Sequence, residues 1–313
     1  MKYLFKVSFL HCSILSATTV LAVAGANPAQ AITLVSTFRP PGNTTEVGIV
    51  NPTTGSFANY GTYELQLTDI AINNSGTVFG STYDQLYTLN PGTNSQANPL
   101  NITTNGTNIF GFNGLGFDSS NNLYALAGYN PRRTPSESGY GNPGFYSINT
   151  SNGIATLISN LGSLAPTAFG FMGTTSTGDT SDLAYNSTNN TFFAVTGNNN
   201  SQLFSINPTN GATTIIGDTK VGFIAGLTYD SGVLRGYTTN KQEVVLDPNT
   251  GAVISTLALT GINQLGDGSN SLIGGAASSP IPTSVPEPFT IIGTLIGGTA
   301  AFRMREKLKE SAS

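Results

Sequence analysis

The chain has one cysteine, one histidine and no tryptophan, and the two singletons are neighbours, His11 and Cys12, close to the amino terminus. Everything beyond residue 12 is therefore without thiol or imidazole. That excludes from the rest of the chain a Ser-His-Asp triad, a cysteine nucleophile, histidine-ligated zinc, iron or copper, and a disulfide framework. Charge is scarce too: Asp, Glu, Lys and Arg make up 9% of the residues. Between residues 32 and 285 thirteen acidic side chains face six basic ones, with no basic stripe, which argues against nucleic acid as a partner. No cofactor is implied. Asp118-Ser119-Ser120-Asn121-Asn122 offers oxygen ligands, but a calcium loop brings more carboxylates, so it reads as a hairpin turn and no metal is expected. What remains for the surface is Asn, Thr, Ser and Gly, whose amides and hydroxyls suit a polysaccharide-rich environment.

The amino terminus reads as a leader over residues 1–31. Lys2 and Lys6 precede a mostly apolar stretch from Val7 to Ala24, and Ala29-Gln30-Ala31 supplies the small-x-small site of signal peptidase. His11 is not the small residue a lipidation site wants before Cys12. The expected mature chain begins at Ile32. Both singletons leave with the leader, so the exported body has to be held by its own core. Its 254 residues from Ile32 to Val285 are ample for one.

The carboxyl terminus has a matching design. A Pro-rich linker over residues 280–288 contains Val285-Pro286-Glu287-Pro288 and opens onto the apolar run Phe289 to Phe302, followed by Arg303, Arg305, Lys307 and Lys309. As a helix the fourteen apolar-run residues rise about 21 Å, short of the roughly 30 Å hydrocarbon core. Gly293, Gly297 and Gly298 weaken that helix further. The segment 289–313 is expected to lodge transiently in the inner membrane with its basic end on the cytoplasmic side. A permanent transmembrane helix and a surface amphipathic helix are the alternatives. Proline spacer, short hydrophobic stretch and terminal positive charge, in that order, resemble the PEP-CTERM tail of exported proteins of Gram-negative bacteria. The resemblance covers about a tenth of the chain. It implies processing by exosortase, an integral-membrane cysteine protease, and a destination in the outer envelope, at the cell surface or in the extracellular matrix.

The body, residues 32–279, is a repeat. Leu67 to Ile72, Phe112 to Phe117, Thr180 to Tyr185, Ile224 to Tyr229 and Leu272 to Ala277 share a strand pattern with a small or acidic residue at one place. Aligned on Asp69, Gly114, Asp182, Gly226 and Gly274, the copies are 45, 68, 44 and 48 residues apart, the period of propeller blades. Turns and strands follow each first strand in a fixed order. Asn51-Pro52-Thr53-Thr54-Gly55, Asn90-Pro91-Gly92-Thr93, Asn149 to Gly153, Asn207 to Gly211 and Asp247 to Gly251 mark the reversal into the fourth strand. In each, Asn or Asp accepts a backbone hydrogen bond and Gly takes the left-handed position, with Pro fixing φ in most copies.

The array begins without a first strand: Ile32 to Phe38, Glu46 to Val50 and Ser56 to Tyr60 read as second, third and fourth strands. It ends with a first strand, residues 272–277, that nothing follows. Pairing the two ends predicts an all-β, five-bladed β-propeller closed by its N- and C-terminal strands. A sixth blade would need a sheet within Asn160 to Asp179, too rich in Gly, Ser and Thr; an open β-solenoid is the other alternative. The repeats resemble those of bacterial β-propeller proteins of unassigned function that often carry the same sorting tail.

A propeller hosts enzymes, lectins and scaffolds alike, so function has to come from the site. First strands line the channel, which places Asp69 and Asp182 on the axis with Glu64 near by in sequence. Two such carboxylates suit acid–base cleavage or transfer of glycosides. The competing role is structural, each Asp accepting hydrogen bonds from backbone amides at a strand start. A second candidate is the insertion from Tyr129 to Gly144. Its Tyr129 and Tyr140 offer rings to stack on sugars, and Arg132 and Arg133 offer guanidinium groups to an acidic polysaccharide. The leading expectation is a non-enzymatic binding or structural protein of the envelope or matrix, engaging polysaccharide or other exoproteins; the alternative is a carbohydrate-active enzyme using the channel acids.

Overall fold

Short apolar runs broken every few residues by Asn, Asp and Gly cannot build one large sheet, and the chain instead folds into five small ones. The computed structural model describes residues 32–38, 44–97, 99–128, 143–161, 180–196, 201–262 and 272–278. The leader, the Tyr129 to Tyr140 part of the insertion, the linker and the 289–313 tail lie outside the described residues. Among the described residues no helix is long and apolar enough to cross a membrane.

The sheets are antiparallel and four-stranded in plan, and together they form a five-bladed β-propeller. Blade 1 runs outward from Asp69–Ile72 through Val78–Ser81 and Gln85–Asn90. Its outer strand is split into Ser95–Gln96 and Leu100–Asn101, both paired with Gln85–Asn90. Blade 2 comprises Phe112–Phe117, Leu123–Ala127, Gly144–Ile148 and Ala155–Ser159. Blade 3 comprises Thr180–Asn186, Thr191–Thr196, Gln202–Ile206 and Thr213–Asp218. Blade 4 comprises Ile224–Asp230, Val233–Thr238, Gln242–Leu246 and Val253–Ala258.

Blade 5 is assembled from both ends of the described chain. Leu272–Ser278 is its inner strand, followed by Thr33–Phe38, Thr45–Val50 and Phe57–Tyr63. The closing ladder runs from Thr33 opposite Ser278 to Phe38 opposite Leu272. The ring expected from the missing and the orphaned strand is therefore present. Closure of this kind removes two open sheet edges.

Each gap between neighbouring blades holds its own apolar core, and five clusters fill the five gaps. Between blades 2 and 3, Phe192 is fully buried with its ring 5.1 Å from Tyr124, 5.2 Å from Tyr185 and 6.1 Å from Phe145. Burying one such side chain contributes about 1.5–3 kcal/mol.

Four of the five predicted turns form as expected. In Asn207 to Gly211 the Asn207 carboxamide oxygen accepts from Thr209 N–H at 2.8 Å, Gly211 N–H donates to the Asn207 carbonyl at 2.8 Å, and Gly211 sits at φ 66°. The glycine is needed twice over, since a Cβ there would also overlap Ser159 of the preceding blade. The exception is Asn90-Pro91-Gly92-Thr93. It forms a short 3-10 turn over Pro91–Thr93, Asn90 makes no side-chain cap, and the left-handed residue is Asn94 at φ 51° rather than Gly92. A small hairpin, Thr103–Thr104 with Thr107–Asn108, turns at Asn105 and Gly106, both at positive φ, the pairing that two-residue hairpin loops favour.

Candidate functional site: the axial carboxyl pair

Four of the five inner strands start at the same face of the ring with a bulge, and the residue after it takes the axial position that Asp69 holds in the unbulged inner strand of blade 1. The bulges lie before Gly114, within Thr180 to Leu183, before Gly226 and before Gly275. The ladder thus corrects the alignment in blade 5. Thr37 pairs with Ile273 and Ser36 with Gly275, so Gly274 is the bulged residue and Gly275 is the equivalent of Asp69. Two adjacent glycines are indistinguishable by pattern; only the register separates them.

At this level of the channel, two aspartates and three glycines share the axis. Asp69 and Asp182 are both 0% exposed. Asp69 Oδ1 accepts from Ile70 N–H at 2.7 Å and its Oδ2 from Leu115 N–H at 2.5 Å. Asp182 Oδ1 accepts from Leu183 N–H at 2.5 Å, while its Oδ2 accepts from Leu227 N–H at 2.6 Å and from Ala276 N–H at 3.1 Å. One amide comes from each of the five blades. Gly275 leaves the room this requires, since a Cβ there would overlap the Asp69 carboxyl.

The two carboxyl groups also lie within hydrogen-bonding contact of each other. Burial holds the Asp69 carboxyl well above the usual carboxylate range, and the neighbouring Asp182 charge pushes it the same way, against the two amides. Burial raises Asp182 too, opposed by its contact with Asp69 and by the Leu227, Leu183 and Ala276 amides. Two buried carboxyl groups in contact cannot both ionise cheaply, so the pair keeps a proton. Glu64 lies in the exposed link after Phe57–Tyr63 and is not among the groups that act on either acid.

Beyond the pair the channel between the described inner strands is narrow. A void of about 20 Å³ remains between the inner strands, lined by Leu115, Leu183, Leu227 and Ala276 and, further along, by Tyr185 and Tyr229. That is room for about one water molecule.

The strand ends that the Tyr129 to Gly144 insertion joins are described: Ala127 pairs with both Phe112 and Gly144, beside the start of an inner strand. The insertion therefore leaves blade 2 on the face where Asp69 and Asp182 lie; Tyr129, Arg132, Arg133 and Tyr140 themselves are outside the described residues, as are Ala29, Ala31 and Val285 to Pro288. On the opposite side of blade 2 a depression of about 450 Å³ opens, lined by Asn121, Asn149, Thr150, Asn152 and Ile154 among others.

A buried polar cluster on blade 4 was not legible in the sequence. Arg235 Nε donates to Glu243 Oε1 at 3.1 Å and the Tyr237 hydroxyl to Glu243 Oε2 at 3.2 Å, with Glu243 3% exposed. Burial raises the Glu243 carboxyl despite Arg235 and Tyr237, so desolvation outweighs the pairing. The signal available was register alone, since Tyr237 and Glu243 face each other across a hairpin.

No family model matches the chain, and no curated protein matches it either. Among solved structures it is similar to a gluconolactonase from Xanthomonas campestris, at 11% identity and TM-score 0.47 over 75% of this chain and 78% of that one. It is also similar to the hydrazine synthase of Kuenenia stuttgartiensis, at 11% identity and TM-score 0.38 over 62% of this chain. The match spans about half, 49%, of the hydrazine synthase chain.

Proposed function

We propose that this propeller is an exported binding or structural protein of the bacterial envelope or matrix, engaging polysaccharide or another exoprotein through its outer surface rather than its axis. The observation that carries this reading is the plugged channel. Every oxygen of the two axial acids is occupied by the fold's own amides, neither acid is exposed, and the void beyond them holds about 20 Å³. Glycoside cleavage needs two carboxyls about 5–10 Å apart flanking an accessible bond. Recognition then falls to the rim and turns, where propellers and other rigid scaffolds place variable loops.

Two surfaces fit such a partner. The insertion with Arg132 and Arg133 suits an acidic exopolysaccharide, and the amide-rich depression at Asn121, Asn149 and Asn152 suits neutral sugar hydroxyls. The terminal segments support the destination: signal peptidase would act after Ala31, and exosortase would read Val285 to Pro288 with the following apolar run held briefly in the inner membrane. The test is glycan-array binding of the secreted protein, repeated with Arg132→Ala/Arg133→Ala. Retention of an acidic polysaccharide that falls at least tenfold in the variant supports the reading; turnover of a glycoside panel with no binding on the array contradicts it. For the tail, an unchanged carboxyl terminus by intact mass in strains with and without exosortase would rule out sorting.

A further inference from the structure

Five backbone N–H groups, one per blade, converge on the same level of the axis: Ile70, Leu115, Leu183, Leu227 and Ala276. In an ordinary sheet such amides would pair along a ladder. Here they sit near the starts of inner strands that have no inward neighbour, in a place closed to solvent, where an unpaired amide is costly. Convergent backbone N–H groups are an anion site. Three of the five positions that aim a side chain into this ring are glycine, so the ring is built by the backbone, and the side chains of the other two only fill it.

We propose that the five inner-strand amides form an anion-binding ring whose native occupant is the hydrogen-bonded Asp69–Asp182 carboxyl pair, and that the ring accepts a free small carboxylate once those side chains are removed. Stoichiometry fits one negative charge. Two buried carboxyls in contact hold one proton between them, and five amides donate to their four oxygens. On the five inner strands the other titratable groups are Tyr185, Tyr229 and Asp230, all towards the far ends of their strands. The ring thus joins the blades through their backbones: Asp69 ties blade 1 to blade 2, and Asp182 ties blade 3 to blades 4 and 5.

The test replaces the occupant without disturbing the ring. Asp69→Gly/Asp182→Gly copies what blades 2, 4 and 5 already carry. Its Tm is measured against wild type in rising sodium formate, with sodium chloride, sodium sulfate and uncharged formamide as parallel series. The expected result is a lowered Tm that formate restores saturably in the variant and not in wild type, while formamide and sulfate move both proteins alike. Equal responses of variant and wild type to every additive overturn the proposal. Should the double variant fail to fold, the native protein decides: the five named amides should show downfield proton shifts in the amide NMR spectrum relative to the other inner-strand amides, and ordinary shifts would overturn the ring. The proposal stands apart from the binding role, since neither readout depends on polysaccharide.

Discussion

Asp69 and Asp182 are chemically alike and placed alike, yet their hydrogen bonds differ, and this predicts unequal tolerance to substitution. Asp69 accepts two amides, one on each oxygen, so Asp69→Asn loses an acceptor for one buried N–H, a cost of about 1–3 kcal/mol. Asp182 accepts three amides, and Asp182→Asn should cost more; urea denaturation of the two variants measures the order. A pH dependence follows with a definite sign. Folded carboxyls held above their unfolded value, about 3.9, bind a proton that the unfolded chain releases. That stability is fully present below the unfolded value and is lost as pH rises through the pair's raised folded value. The expected outcome is a Tm that declines from mildly acidic towards alkaline pH, with a shallower decline in Asp69→Asn. In blade 4, Arg235→Ala would strand the buried Glu243 carboxyl at a cost of about 3 kcal/mol or more, whereas Glu243→Gln keeps most of the contacts and should cost less.

At the scale of turns and strands, the Asn/Asp-to-Gly reversals combine a left-handed backbone with contact against the preceding blade. Gly251 is at φ 74°, and a Cβ on it would sit 2.9 Å from the Gly217 carbonyl oxygen; Gly76, at φ 82°, has nothing within 4 Å. Gly76→Ala should therefore cost about 1–2 kcal/mol from backbone strain alone, and Gly251→Ala clearly more, compared by chemical denaturation. These elements were readable because a strand of four to seven alternating residues ending in Asx and Gly leaves little freedom, and the bare second strand at residues 32–38 announced its absent partner. The pairing of Asp and Gly at equivalent positions was readable as well; its meaning was not. Pattern alone could not show that a glycine of blade 5 makes space for the Asp69 carboxyl of blade 1, nor choose Gly275 over Gly274, because one residue of bulge register decides both. Asn90 to Thr93 looked like the other four turns, but there the left-handed position moved on to Asn94.

At the scale of the whole molecule, five separate cores in series mean that each blade is stabilised by its two neighbours, and closure joins the last core to the first. Phe192→Ala should cost about 3–5 kcal/mol, because it empties the centre of the aromatic cluster joining blades 2 and 3. The closing ladder can be tested in a background free of other thiols, since Cys12, replaced by Ser, is the sole cysteine of the chain. Val35 and Ala276 lie directly opposite each other and share one apolar cluster. Directly opposed antiparallel residues have Cα atoms about 4.5–5.5 Å apart, within the reach of a disulfide. Val35→Cys/Ala276→Cys should oxidise to an intramolecular disulfide, seen as faster migration on a non-reducing gel, while the one-residue offset Val35→Cys/Ala277→Cys stays reduced; free thiols or intermolecular dimers in the first pair would contradict the closed ring.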